Sequence, residues 1–192
     1  MTPNQQKSPG NYAFIDSQNL NLGTQKMGWK MDWRKFRRWL DEKYNVTKAY
    51  MFIGYVPEFE EMYEQLHESG YLIVLKPTQD MSKPKTDNPD PKTDKQEDKK
   101  PIKGNIDADL VLWAMRELQY YSKAIIVSGD GDFHGLLEYL KEQNKLMHIM
   151  TPNWQYSQLL KPFENQIIRL DKHRGELEYR TKRRNTKPGS QQ

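Results

Sequence analysis

The sequence predicts an α/β fold with a mainly parallel central sheet and helices on both faces. Short apolar segments of strand length alternate along the chain with segments whose apolar residues recur at helical spacing. This alternation favours parallel strands that are covered on both sides. Acidic residues lie within a few residues of the ends of two predicted strands, and ligands bind such sheets at the carboxyl ends of the strands.

The first half of the chain predicts the order β-α-β-α-β. Its first helix carries Trp33, Phe36 and Leu40 at helical spacing. The second helix begins at Pro57, because proline is favoured at a helix start, and ends before Gly70. The predicted strands span 12–15, 47–53 and 71–75, and the predicted helices span 32–44 and 57–69.

The second half repeats the alternation after a polar interruption. Helices are predicted over 105–121 and 133–143, with a short helix over 155–163, and strands over 124–127, 146–150 and 166–170. Because neither half alone has enough strands for a core, we expect both halves to belong to one domain.

Composition limits the class of protein. At 192 residues with 35% hydrophobic residues the chain is long enough for one core, while a mean hydropathy of −1.01 indicates polar appendages. The absence of cysteine excludes disulfides, thiol nucleophiles and thiolate metal ligands. Since no apolar stretch resembles a leader or a membrane span, we expect a cytoplasmic protein with no membrane partner.

Three regions are expected. Residues 1–10 form a flexible N-terminus, and residues 11–171 form the domain, with a mobile charged loop at 76–104 that holds five of the eleven prolines. Residues 172–192 form a basic tail with seven Lys or Arg and two Glu, an excess larger than the net charge of +4 of the whole chain. The tail either keeps the protein soluble or binds a polyanion, with Arg183 and Arg184 in its most basic stretch.

Four acidic residues are candidate metal ligands and catalytic residues. Asp16 follows the first predicted strand, Asp130 and Asp132 follow a later one, and Asp107 opens the helix after the charged loop. The carboxyl ends of parallel strands meet at one edge of the sheet, so these acids are expected to converge there. Converging carboxylates repel one another unless a cation holds them.

Helical geometry and capping distinguish the acids from their neighbours. Asp107 heads the apolar stripe of its helix, whereas Asp109 lies roughly 200° away around the helix axis. Asp107 is therefore the better ligand, although an acid in a first turn can also serve only the helix dipole. Asp132 is a natural N-cap for the next helix, a role not expected of Asp130. Leu112 and its neighbour Trp113 fall off the stripe and meet either the loop or a second subunit of a homodimer.

The ligand chemistry indicates a hard cation. Oxygen-only ligands select Mg²⁺ or Mn²⁺, and the four histidines are too dispersed to form a zinc site. With no histidine base among the acids, water activated by one or two divalent ions is the natural nucleophile. Hydrolysis of a phosphate ester is then the leading chemistry.

Three short motifs carry a family resemblance. They are Phe14-Ile15-Asp16-Ser17-Gln18-Asn19, Lys103-Gly104-Asn105-Ile106-Asp107 and Ser128-Gly129-Asp130-Gly131-Asp132-Phe133. In this order, and with the intervening alternation of strands and helices, the chain resembles NYN-domain proteins, a branch of the PIN-like ribonucleases, over about residues 11–170. The resemblance implies a PIN-like, Rossmann-like three-layer sandwich that cleaves RNA with a divalent metal.

The resemblance also implies roles for individual residues. The metal ligands would be Asp16, Asp107, Asp130 and Asp132. Asn19 would support the first acid or touch the substrate, and Ser128 would be a supporting hydroxyl. Asp109, two residues after Asp107, is also expected to support the site or to bind substrate.

Basic side chains indicate where a substrate would lie. Lys103 stands next to the acids, and Arg34 and Arg38 lie on the first long helix beside two tryptophans. Cations interleaved with aromatic rings suit single-stranded RNA, whereas a charged helix face can also be merely solvated. The remaining alternative to a ribonuclease is an RNA-binding module whose acids hold an ion without turnover.

Overall fold

Six parallel strands form the central sheet of the computed structural model, which describes residues 9–77 and 106–180. The strands lie in the order β3-β2-β1-β4-β5-β6, and each pairs in parallel with its neighbours, which confirms the predicted mainly parallel sheet. Their bounds are β1 Asn11–Asp16, β2 Val46–Tyr55, β3 Tyr71–Pro77, β4 Ala124–Val127, β5 Leu146–Thr151 and β6 Ile167–Arg169.

Helices cover both faces of the sheet, which confirms the three-layer α/β architecture. One face carries α1 (Ser17–Lys26), α2 (Trp33–Tyr44), α3 (Glu60–Glu68) and α6 (Arg174–Leu177), and the other carries α4 (Ile106–Arg116) and α5 (His134–Glu142). Short 3₁₀ segments span Pro57–Phe59, Gly131–Phe133, Gln158–Gln166 and Leu170–His173.

Successive side chains of the central strands point to opposite faces of the sheet, so the core consists of two clusters, one on each face. In β1, Ala13 and Ile15 are fully buried on the side of α1, α2, α3 and α6, while Tyr12 and Phe14 pack on the side of α4 and α5. Side chains in a strand point to opposite faces in turn, so Asp16 falls on the α4 side. The register of β1 therefore places its last carboxylate on the face from which α4 supplies Asp107.

Helix α1 was missing from the sequence prediction. It follows β1 without a loop, and its side chains bury only at Leu20 and Thr24. A segment with one glycine, two asparagines and few apolar residues has weak intrinsic helix propensity. The cap that Asp16 provides and the packing of Leu20 in the core stabilise the helix instead.

Other differences concern where elements end. Helix α4 stops at Arg116 rather than at 121, and the hydroxyl of buried Tyr121 donates to the carbonyl of Ala114. Trp113 packs on Tyr50 of β2 with ring centroids 5.2 Å apart, whereas Leu112 is 52% exposed. Contact of these two residues with the charged loop or with a second subunit stays a prediction. The chain also remains packed beyond 171, because Leu177 is fully buried.

Several sequence-based expectations fall outside the described residues. They concern the segments 1–8, 78–105 and 181–192, and with them Lys103, Arg183 and Arg184. Within the described ranges, no helix combines the length and the apolar character that crossing a membrane requires.

Candidate active site

Asp16 lies at the carboxyl end of β1 and caps helix α1. Its Oδ1 accepts a hydrogen bond from the backbone N–H of Asn19 at 3.0 Å, and its Oδ2 accepts one from the hydroxyl of Ser128 at 3.2 Å. Only 6% of the residue is exposed. The carboxylate is thus fixed by one bond from its own helix and one from the strand next to it.

The acidic turn, residues 128–132, follows β4 and is bonded to the start of α1. The hydroxyl of Ser128 accepts the N–H of Asp130 at 3.1 Å, and Oδ1 of Asn19 accepts the N–H of Gly129 at 2.9 Å. Ser128 is 1% exposed. Asn19 and Ser128 therefore bridge the ends of β1 and β4 and set the position of the turn relative to Asp16.

The capping role expected of Asp132 belongs to Asp130. The Oδ1 of Asp130 accepts the N–H of Asp132 at 3.1 Å and caps the 3₁₀ segment Gly131–Phe133 that precedes α5. This extra turn moves the cap two residues towards the N-terminus. Asp132 itself is exposed.

The strand order gives this edge of the sheet its crevice. From β1 the chain moves outwards through β2 to β3 on one side, and then returns to β4, β5 and β6 on the other. Ligands of open α/β sheets bind where the order reverses, outside the carboxyl ends of the two central strands. Here those strands are β1 and β4, which end in Asp16 and the acidic turn.

Electrostatics link three of the predicted acids. Burial raises the pKa of the Asp16 carboxyl above its ordinary value, and the charges of Asp107 and Asp130 raise it further, against the hydrogen bonds from Asn19 and Ser128. Asp107 and Asp130 must therefore lie close enough to act on Asp16. Asp107 and Asp130 thus lie within electrostatic reach of Asp16, whereas Asp132 is exposed.

The donor set suits a divalent ion in chemistry, but the carboxylates are not gathered on a single point. Among residues 9–77 and 106–180, no group of three or more acidic or histidine side chains is arranged to hold a metal ion. The three acids nevertheless offer only oxygen donors, and the anion of Asp16 is destabilised by its burial and further by the charges of the other two. A hard cation would relieve that repulsion.

The other predicted site residues lie elsewhere. Asp109 forms an ion pair of 3.0 Å with Lys76 near the end of β3. Helix α2 packs at the amino ends of the strands, far from the acids. There Arg37 donates to the carbonyls of Gly70 and Val46 at the start of β3 and β2.

On that helix Arg34 and Arg38 are exposed. The two tryptophans beside them are taken up by the core, since Trp39 is 5% exposed and Trp33 is partly buried against Tyr71. The helical spacing of Trp33 predicted its place against the core, and Trp39 joins it there, so these rings are not free to stack on a substrate.

The β5 loop, residues 152–157, rests on the acidic turn and was not among the site residues predicted from the sequence. A Cβ atom on Gly131 would lie 2.3 Å from the Ser157 hydroxyl, and the N–H of Ser157 donates to the carbonyl of Gly129 at 2.9 Å. Between this loop and α1 lies a depression of about 200 Å³ that Asn19 and Lys26 help to line. Asp16 and Asp130 were chosen because ligands bind at the carboxyl ends of parallel strands. The same reasoning applied to β5 would have identified this loop.

Comparison with known proteins places the chain in a family. It is 22% identical over 172 residues to the low amplitude and bright protein LabA of Synechococcus elongatus, with 86% of each chain covered. A crystal structure of a protein of unknown function from Vibrio parahaemolyticus has the same fold, with a TM-score of 0.62 and 17% identity over 92% of this chain and 100% of that one. The model of the NYN domain matches residues 12–171. The chain therefore belongs to the NYN domain family, within the PIN-like nuclease superfamily.

Proposed function

We propose that the protein is a divalent-metal-dependent ribonuclease that hydrolyses phosphodiester bonds of single-stranded RNA. The observation that carries the proposal is the buried carboxylate of Asp16, which sits at the crevice of the sheet within electrostatic reach of Asp107 and Asp130. The repulsion that Asp107 and Asp130 exert on the buried Asp16 anion costs the fold stability, and such a cost is common at functional sites. Membership of a nuclease superfamily supports the same conclusion.

In this proposal the acids hold Mg²⁺ or Mn²⁺, with the exposed Asp132 as a further ligand. When bound, such an ion would supply a water molecule of lowered pKa as the nucleophile and would offset the charge that develops on the phosphate. The hydrogen bonds of Ser128 and Asn19 hold Asp16 and the acidic turn in position, so that little of the binding energy is used to order the site.

A second candidate is an RNA-binding module that holds an ion without turnover. The observation that favours it over turnover is that, among the described residues, no three acidic side chains converge on one metal ion, whereas an ion held by one or two of them is enough to neutralise the site. The two candidates differ in what an acid variant would lose. A ribonuclease loses cleavage and retains binding, whereas a silent module has no cleavage to lose.

The test is to incubate the purified protein with end-labelled RNA, and with DNA of the same sequence, in Mn²⁺, in Mg²⁺ and in EDTA. We expect metal-dependent RNA cleavage that Asp16→Asn and Asp130→Asn each reduce by about 100-fold or more, since a metal supplies several kcal/mol to the transition state. Binding of uncut RNA should change much less.

Asp41→Asn is the matched control, because Asp41 is an exposed acid on α2. This variant should cleave like the wild type. RNA cleavage that persists in EDTA or in Asp16→Asn would refute the mechanism, and equal cleavage of DNA would refute the substrate class.

A further inference from the structure

We propose that the depression between the β5 loop and strand β6 is a subsite for one base of single-stranded RNA, next to the bond that is cut. This inference rests on the proposed function, because it identifies how the same substrate would be held. The depression, called here the β6 subsite, has a volume of about 440 Å³, within the range of small-ligand sites. Its lining includes Trp154, Tyr156, Glu164, Arg169, Lys172 and His173.

The β6 subsite lies on the same edge of the sheet as the acids. The carboxyl ends follow one another in the order β1, β4, β5 and β6, so the end of β6 is two strand spacings, or about 10 Å, from the acidic turn. Tyr156 lies between them, since a Cβ on Gly129 would be 3.3 Å from the Cβ of Tyr156. A strand of RNA at the acids would therefore reach the β6 subsite with a neighbouring nucleotide.

An exposed tryptophan on a fixed loop is the main feature of the β6 subsite. Trp154 is 56% exposed, although the residue before it is 4% exposed and bonded on two sides. The Nδ2 of Asn153 donates to the carbonyl of Gly23 at 2.9 Å, and its Oδ1 accepts the N–H of Gln155 at 2.7 Å. A large ring held in water by a rigid loop loses little entropy on binding, and bases of single-stranded RNA stack on such rings.

The polar groups of the β6 subsite suit a base better than a phosphate. Arg169 is oriented by Asp171, with its Nε at 3.1 Å from Oδ1 and its Nη2 at 2.5 Å from Oδ2. Glu164 adds a carboxylate acceptor to the lining, which would repel a phosphate but can accept from an amino group of a base. Lys172, exposed at the edge, is the cation that would meet the adjoining phosphate.

The test measures the affinity of short single-stranded RNAs by fluorescence anisotropy, in the Asp130→Asn background so that the RNA stays intact. Adding Trp154→Ala should weaken binding by about tenfold, because stacking on an aromatic ring is worth about 1–3 kcal/mol per base. Trp154→Phe should restore most of the affinity. The slope of log Kd against log salt should not change, since no phosphate contact is lost.

Abasic RNAs show whether the lost contact is to a base. Removing the one base that sits in the β6 subsite should weaken RNA binding to the Asp130→Asn protein by a similar factor. The same abasic RNA should bind the Asp130→Asn, Trp154→Ala protein no more weakly than intact RNA does. Tyr120→Ala is the control, because Tyr120 is 54% exposed but precedes β4 at the opposite edge of the sheet.

Two results would overturn the inference: unchanged RNA affinity in Trp154→Ala, or equal loss of affinity in both proteins at every abasic position. Neither result bears on metal-dependent cleavage by the wild type, which is measured separately. Conversely, a base-specific loss in Trp154→Ala without any cleavage by the wild type would support the β6 subsite and reject the ribonuclease.

Discussion

At the scale of single residues, Asp16 combines a structural role with the proposed chemical one. Its carboxylate caps α1, yet burial and two nearby acids raise its pKa, so the folded state disfavours its charge. Asparagine caps helices as well as aspartate does and carries no charge. The folded protein is therefore less stable with aspartate at position 16 than it would be with asparagine. Such a loss of stability is common at functional sites.

Asp16→Asn should accordingly stabilise the protein in EDTA. Loss of the buried charge with retention of the cap should raise the free energy of unfolding by about 1 kcal/mol, or Tm by about 2–4 °C for a chain of this size. Mn²⁺ should raise Tm of the wild type and have little effect on the variant, because a ligand stabilises only the state that binds it. Differential scanning fluorimetry measures both effects, and a lower Tm of Asp16→Asn in EDTA would contradict this account.

Residues differ in how far the sequence could predict them. Asp16 and Asp130 could be placed because each lies within a few residues of the end of an apolar strand, and the carboxyl ends of parallel strands share one edge of the sheet. The capping role of Asp130 could not, because it depends on a 3₁₀ turn before α5 that leaves no separate pattern in the sequence. Trp154 could not be recognised as exposed, because tryptophans at other positions here, such as Trp39, are buried in the core.

At the scale of elements, the site depends on the close approach of α1 to the β5 loop. Gly23 in α1 has no room for a side chain, because a Cβ there would lie 2.4 Å from the Cβ of Pro152. Gly135 in α5 has open space around its Cβ position. Two helical glycines thus differ only in what surrounds them.

Substituting these two glycines by alanine should have opposite effects. Gly135→Ala should stabilise the protein by about 0.5–1 kcal/mol, because alanine favours the helix. Gly23→Ala has the same intrinsic gain but should destabilise by about 1–3 kcal/mol, because α1 and the β5 loop must separate. Urea denaturation measures both changes, and a stabilising Gly23→Ala would show that the contact is loose.

Elements also show where pattern reasoning fails. The strands could be predicted because buried parallel strands are runs of apolar residues, as in Ala124–Val127. Helix α1 could not, because its stability comes from a cap and a few tertiary contacts rather than from an apolar stripe. The limits of α4 were overestimated because Tyr121 continues its apolar spacing after the helix has ended.

At the scale of the whole molecule, the order of the strands decides where a substrate can lie. The sequence predicts parallel strands but not their neighbours, because apolar segments do not record which other segment they pair with. The observed reversal between β1 and β4 brings Asp16 next to the acidic turn and puts the β5 loop beside it. The other end of the sheet is held by Arg37 and its neighbours on α2.

The charge of the whole chain is expected to affect affinity rather than cleavage. Replacing Lys182, Arg183, Arg184 and Lys187 by glutamine keeps the length of the tail and removes its four cations beyond residue 180. If they bind phosphates, RNA affinity should fall at low salt, and the slope of log Kd against log salt should decrease by up to about 0.7 per cation lost. Cleavage of saturating RNA should stay unchanged, and an unaltered slope would assign the tail to solubility alone.

The ion pair between Lys76 and Asp109 bears on the tolerance of this domain to insertions. The pair joins β3, which ends at Pro77, to α4, which begins at Ile106. The two points where the chain leaves and re-enters the described domain therefore lie close together. The free-energy cost of joining two fixed points by a chain segment rises by only about 0.6 kcal/mol for each doubling of the segment's length. Relatives could therefore carry connections of very different size at this position on an unchanged scaffold.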